Sequence, residues 1–295
     1  LLKKTIAAVR RDGKSIGFVP TMGSLHQGHL SLIRRCKNDN DVTVLSIFVN
    51  PTQFGPREDF KKYPRAWSSD IRKAEKEGVD IVFAPTSSDM YPKGFSTFVN
   101  VDKNISDNVL CGRSRPGHFR GVATVVTKLL HLVQPDILYL GQKDFQQCVV
   151  LKRMVKDLNI ATHIVICPTV REKDGLAMSS RNKYLSPPER EEAVVLYQAL
   201  RLGRQLIRGG RTRPAHILAA MRHHVRKNSH GVIDYLTAVD TETLKPLNVF
   251  RGPALLAGAI RFRNTRLIDN IIVPTYNDSH SIKDDGKNQR NRRCS

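Results

Sequence analysis

The 295-residue sequence lacks several features that would define other kinds of protein. No apolar run reaches 18 residues, so no helical membrane span is expected. Five cysteines (Cys36, Cys111, Cys148, Cys167 and Cys294) are scattered and never form a C-x-x-C pair. That excludes a zinc module of the usual spacing and points to reduced thiols in a reducing compartment. Aromatics make up 6% of the chain, with no RNP-like motif and no zinc-finger spacing, which argues against a base-stacking nucleic-acid module. The first residues, Leu1-Leu2-Lys3-Lys4, show no signal h-region and no starting Met. A cytoplasmic protein is expected, with a few residues missing before Leu1.

Acidic residues are also scarce. Asp and Glu total 27 against 48 Lys and Arg, a formal charge of +21 and a pI near 10.1. Residues 201 to 230 carry Arg201, Arg204, Arg208, Arg211, Arg213, Arg222, Arg226 and Lys227 and no acid. The last nineteen residues carry only a net +2. A solvated basic face that attracts anionic ligands is the favoured reading, and nucleic-acid binding the lesser one.

Apolar content of 40% leaves ample material for a packed core. The runs at 15–19, 42–49, 79–84, 136–140 and 162–167 are short, rich in Val and Ile, and continuous. Such runs suit a parallel sheet covered on both faces. Between them lie stretches with apolar spacing of three and four, the mark of amphipathic helices. Gly78 stands where a helix C-cap belongs. The alternation predicts an α/β fold: a Rossmann-like doubly wound parallel sheet over residues 1–168. The period breaks after Cys167. Ser186-Pro187-Pro188-Glu189 reads as a capped helix start, followed by two basic helices at roughly 188–208 and 213–228. Three β-type runs follow them. A smaller α+β domain is expected over 169–275, and a disordered basic tail over 276–295.

In open α/β sheets ligands bind beyond the C-terminal strand ends, so motifs just after strands are the candidates. After 15–19 comes PTMGSLHQGH. Pro20 is expected to end the strand, Gly23 to allow a tight turn, and Gly28 to open a helix start. His26 and His29 then lie on one side of the first turn, where phosphate binds well. Buried packing histidines or a metal pair are the competing readings, the latter without a third ligand. After 42–49 comes NPTQF, whose Asn50 and Gln53 suit a carboxylate and a hydroxyl. After 136–140 comes GQKDFQQ. Gly141 gives backbone access, Lys143 is a compact charge for polyphosphate, and Asp144 fits a helix cap or ribose. Gln147 follows one turn later. RPGHFRGV places Arg115 and His118 just before a helix, and MSSR at 178–181 suits a mobile loop over a triphosphate.

The H-x-G-H element with a later MSSR loop resembles the signature pair of the nucleotidyltransferase superfamily. The set PTMGSLHQGH, FVNPTQF, RPGHFRGV, GQKDFQQ and REKDGLAMSSRN, in that order, closely resembles the pantoate–β-alanine ligase (pantothenate synthetase) family from about residue 15 to 275. The resemblance implies ATP-dependent amide formation between (R)-pantoate and β-alanine through a pantoyl adenylate, with Mg²⁺ on the phosphates and a homodimer. It implies that Met22, Gly23, Ser24, Leu25, His26, Gln27, Gly28 and His29 line the ATP site, with His29 as proton donor and His26 as its phosphate-contacting partner. Gly141, Gln142, Lys143 and Asp144 are expected on ATP, Val170 beside the adenine, and Met178, Ser179, Ser180 and Arg181 over the phosphates. Gln53 and Gln147 are expected on pantoate, with Asn50, Arg115 and His118 as further contacts. Two alternatives remain: a small-molecule nucleotidyltransferase of the same superfamily, and an RNA-binding protein on an inactive scaffold.

Overall fold

The computed structural model describes residues 1–56 and 58–274. The tail expected to be disordered, Cys294 included, lies outside the described residues. The chain opens with a helix absent from the sequence reading, α1 (Leu2–Arg11), whose Ile6 is buried against the sheet. The five strands expected of the first half are present as β1 (Ile16–Thr21), β2 (Val42–Ile47), β3 (Ile81–Phe83), β4 (Ile137–Gly141) and β5 (His163–Cys167). They form one parallel sheet in the order β3-β2-β1-β4-β5. The order reverses between β1 and β4, which makes that gap the ligand crevice of a doubly wound sheet.

Both faces of the sheet are covered, which is why its strands read as unbroken apolar runs. On one face Ile16, Phe18, Val44 and Leu138 pack against α1, α6 (His118–Val133) and α7 (Phe145–Asp157). On the other, Val19, Leu45 and Tyr139 pack against α2 (Gln27–Asp39) and α3 (Trp67–Lys76). Gly78, at φ 70°, closes α3 as expected. Two short helices, α4 (Ser87–Met90) and α5 (Leu110–Ser114), carry the chain from β3 to α6.

Pro20 does not end β1 but lies within it, paired with Ser46 of β2. The Thr21 carbonyl accepts from Phe48 on the β2 side, so Pro20 turns its nitrogen toward the β4 side. There the β1–β4 register stops at Phe18, and the missing N–H forfeits no ladder bond.

After β5 the second half contains α8 (Pro187–Glu192), α9 (Val195–Arg208), α10 (Pro214–Asn228) and an antiparallel sheet of β6 (Val232–Asp240), β7 (Ala254–Phe262) and β8 (Thr265–Val273). Ser186 and Glu189 form the expected capping box at α8. The apolar faces of α9 and α10 close over this sheet, leaving most of their cations outward. The two halves meet through apolar contacts: Leu110, Phe145 and Val149 against Val239, Leu244 and Leu255.

Candidate active site

The site forms at the β1/β4 crevice, and its first wall is the turn between β1 and α2. Gly23 (φ 80°) and Ser24 (φ 51°) both adopt left-handed backbone there. For serine this conformation is strained and must be held by its surroundings. Asp70 of α3, 1% exposed, holds it. Its carboxylate accepts from Ser24 N at 2.7 Å and from Leu25 N at 2.8 Å. Lys73 donates to the Leu25 carbonyl at 2.6 Å. Leu25 itself points into the core, so this residue offers a ligand only its backbone. Gln27, the first residue of α2, is exposed.

His26 is the N-cap of α2 and His29 its third residue, and each side chain caps the other's end of the turn. The His26 Nδ1 accepts from Gly28 N at 3.2 Å, and the His29 Nδ1 accepts from His26 N at 3.3 Å. An Nδ1 that accepts has no proton, so both neutral rings carry theirs on Nε2. The rings stack at 4.0 Å between centroids. Burial, with the Lys143 charge second, pushes His26 down to about 4. Burial, with His26 second, pushes His29 down to about 3. At neutral pH this is a pair of uncharged N–H donors, and it is half-buried rather than solvent-facing. Gly28 has a different purpose from an open helix mouth. A Cβ there would stand 2.9 Å from the His26 Cε1, so the glycine makes room for the folded-back ring.

The opposite wall is the 3₁₀ turn Gln142–Asp144 between β4 and α7. Lys143 is mostly buried and lies 3.6 Å from the Asp144 carboxylate. Asp144 occupies the N-cap of α7 but makes no side-chain cap, and its carboxylate faces the cavity. Desolvation alone would raise its pKa, but Lys143 and Arg181 outweigh it and hold the group below the usual range. The Gln142 amide turns away to Asn270 of β8, at 3.2 Å. Space is open above the Gly141 α-carbon, and Gln147 is half-buried on the cavity wall.

The third wall follows β2. Asn50 is 1% exposed and wholly engaged inside the protein. Its Nδ2 donates to Gln53 Oε1 and to the Gly121 carbonyl, while its Oδ1 accepts from Thr52 and from the Tyr91 hydroxyl. Gln53 is left with its Nε2 donating only to the Met22 sulfur at 3.1 Å, a weak acceptor that a ligand oxygen can replace. The Gln53 carbonyl is pinned by His118 Nδ1–H at 2.8 Å. The His118 Nε2 in turn accepts from Arg115, whose fork grips Glu58 at 2.6 and 2.7 Å. Arg115 and His118 line the cavity, but their polar atoms mainly fix Gln53. Gly121 allows α6 this close: a Cβ would lie 2.4 Å from the Thr52 carbonyl oxygen.

The stretch read as a mobile loop is regular. Met178 N donates to the Val170 carbonyl, and Arg171 bridges Ala177 as in a hairpin. Ser179 caps a 3₁₀ turn over Ser180–Tyr184. Ser180 is buried against the Tyr63 hydroxyl, and Arg181 pairs with Asp59. Met178 lies against the start of α2, its Cβ 3.9 Å from where a Gly28 Cβ would stand.

Lys143, Asp144, Gln147, Arg115, Ser179 and Arg181 share the wall of one cavity of about 1020 Å³ between the two halves. Met22 and Gly23 face a smaller one of about 390 Å³ beside Asp70. The histidine pair borders neither.

The family model for pantoate–β-alanine ligase matches residues 1–272. The chain belongs to that family. Pantothenate synthetase of Caldicellulosiruptor saccharolyticus is 53% identical over 272 residues, which is 92% of this chain and 96% of that one. The crystal structure of pantothenate synthetase from Thermus thermophilus is 46% identical with a TM-score of 0.87, over 91% of this chain and 98% of that one. The ligase from Francisella tularensis, solved with β-γ ATP and β-alanine, is 37% identical with a TM-score of 0.75, over 92% and 95%.

Several residues that shape this ligase site had no linear signal. Asp70 and Lys73 sit inside an ordinary amphipathic helix pattern, and Glu58, Asp59 and Tyr63 in a polar connection. Each finds its partner 45 or more residues away. Among the described residues no three His, Cys, Asp or Glu side chains converge as a metal site. Both Asp70 oxygens are taken by backbone N–H groups, leaving Asp144 as the exposed carboxylate of the crevice.

Proposed function

We propose that the chain joins (R)-pantoate to β-alanine using ATP, giving pantothenate, AMP and pyrophosphate. The observation that carries this reading is a pair of neutral Nε2–H imidazoles at the sheet's switch point, within the field of the Lys143 charge, in a chain of this family. In the first step a pantoate carboxylate oxygen attacks the α-phosphorus of ATP, and the bond to pyrophosphate breaks. Negative charge grows on the phosphorus oxygens, and fixed donors aimed there lower the barrier. His26, His29, Lys143 and the backbone from Met22 to His29 supply them, and His29 Nε2–H is the donor nearest in kind to a leaving oxygen. In the second step the β-alanine amine attacks the acyl carbon, the bond to AMP breaks and the amine loses its proton.

Gln53 and Gln147 orient pantoate, and Asn50, Arg115 and His118 act through Gln53. Gly141 to Asp144 contact ATP, Val170 flanks the adenine, and Met178 to Arg181 cover the phosphates and keep water from the adenylate. Mg²⁺ neutralises phosphate charge when bound. Asp144, the exposed carboxylate of the crevice, is the side chain that would help hold such an ion. The reading includes a cytoplasmic homodimer, which light scattering in solution tests.

Product analysis tests the reaction. With ATP, pantoate and β-alanine the expected products are AMP, pyrophosphate and pantothenate in equal amounts. Pyrophosphate without AMP would point to a nucleotidyltransferase instead.

A further inference from the structure

The segment 58–63 and the turn 180–184 are tied at three points. Arg181 grips Asp59 with two bonds, Nε to Oδ2 at 3.1 Å and Nη2 to Oδ1 at 2.9 Å. The Tyr63 hydroxyl meets Ser180 Oγ at 3.3 Å, and the Tyr184 hydroxyl donates to the Lys62 carbonyl at 3.1 Å. The ion pair is the informative tie. Its side chains are 29% and 24% exposed, and both residues line the large cavity beside Lys143 and Asp144. A guanidinium fork grips a carboxylate and a phosphoryl group by the same two-pronged geometry, so one edge cannot serve both at once. The Tyr63 ring centroid lies 5.8 Å from the guanidinium carbon, within cation–π range.

We propose that Asp59 is an internal competitor for the phosphate fork: it holds Arg181 in the nucleotide-free protein, yields it to a phosphoryl group of ATP, and recaptures it as pyrophosphate leaves. Asp59 is thus a positioning residue that weakens nucleotide binding in exchange for release. The proposal rests on the reading that Arg181 contacts the phosphates. It also explains why a cation meant for phosphate is already satisfied and mostly enclosed here: an unpaired one would be poorly solvated and would trap stray anions.

The test is a double-mutant cycle on ATP KM, with the pyrophosphate inhibition constant as second readout. Asp59→Asn keeps the shape and removes the charge; Asp59→Ser serves if the amide disturbs folding. ATP KM and the pyrophosphate constant should both fall by about five-fold, the upper end for a solvent-accessible ion pair, while pantoate KM stays unchanged. Arg181→Ala alone should raise ATP KM, and adding Asp59→Asn to it should change nothing further. A gain that persists without Arg181 would mean a general field effect and would overturn the proposal. So would an unchanged ATP KM in Asp59→Asn while Arg181→Ala still weakens ATP. If Arg181→Ala leaves ATP KM unchanged, the assignment of Arg181 to phosphate fails, and the competitor fails with it.

Discussion

Two walls of the crevice are built in opposite ways. At the start of α2 the two imidazoles are satisfied by backbone two or three residues off: Gly28 N–H fixes the His26 tautomer and His26 N–H that of His29, while Asp70 holds the turn before them from 45 residues away. Around Gln53 the ties that fix the wall to the rest of the protein are long-range: Gly121 lies 71 residues from Asn50, His118 lies 65 from Gln53, and Arg115 lies 57 from Glu58. The local wall presents donors whose aim is set by backbone geometry. The long-range wall presents one amide, the Gln53 Nε2, whose aim depends on the packing of α6. Damage to the first should therefore strike chemistry, and damage to the second should strike substrate binding.

The largest expected effect is His29→Ala. Removing a charge-stabilising donor should lower turnover on the order of 10²-fold or more. Because the ring also caps α2, a loss of about 1 kcal/mol in stability should accompany it. A folded variant with wild-type turnover would break the contrast at its strongest point. Asp70→Ala comes next. It strips two charge-assisted bonds from a strained buried turn, so stability should fall by about 3 kcal/mol or more, seen as a lower urea midpoint. Unchanged stability would mean that the Ser24 turn holds without α3.

Gln53→Ala should raise pantoate KM about ten-fold, the scale of a lost buried hydrogen bond, and ATP KM far less. Gly121→Ala should reproduce the same pattern from a distance, because its methyl pushes on the Thr52 carbonyl. Equal effects on both substrates in either variant would erase the division between the walls.

The smallest effect concerns acid. Burial, aided by Arg115, pushes His118 down to about 4, as burial first does for His26 and His29. A histidine with a depressed folded pKa takes up its proton in the unfolded chain first. Its contribution to stability is complete above the ordinary 6.5 and is lost as pH falls from there toward 4. Thermal melts should thus decline as pH falls below 6.5. Turnover of the folded enzyme should show no separate loss near 6.5, since the rings that act are already neutral. A rate that halves as pH falls through 6.5 would mean that an acting ring titrates at the ordinary value instead of well below it.

The contrast also explains how much could be read in advance. The doubly wound sheet is written in unbroken Val- and Ile-rich runs, and most candidate positions in the short motifs at the C-terminal ends of β1, β2 and β4. The histidine turn was legible because cap and capped group share one turn. Gly28 was placed well but explained poorly: the obstacle is the His26 ring, which no linear pattern shows. Asn50, Arg115 and His118 were recognisable as polar groups near a strand or helix end. Their inward engagement depends on α6 crossing the 51–53 turn, a long-range event. The regular 170–184 stretch escaped notice because a hairpin of seven residues and a 3₁₀ turn carry no period long enough to see.

The central claim is that the pantoate carboxylate attacks the α-phosphorus, with the α2 and Lys143 donors stabilising that step. Pantoate labelled with ¹⁸O in both carboxylate oxygens tests it directly, by mass spectrometry of the products. One labelled oxygen should appear in AMP and the other in the amide carbonyl of pantothenate. Unlabelled AMP, with the label in pyrophosphate or inorganic phosphate, would contradict the account.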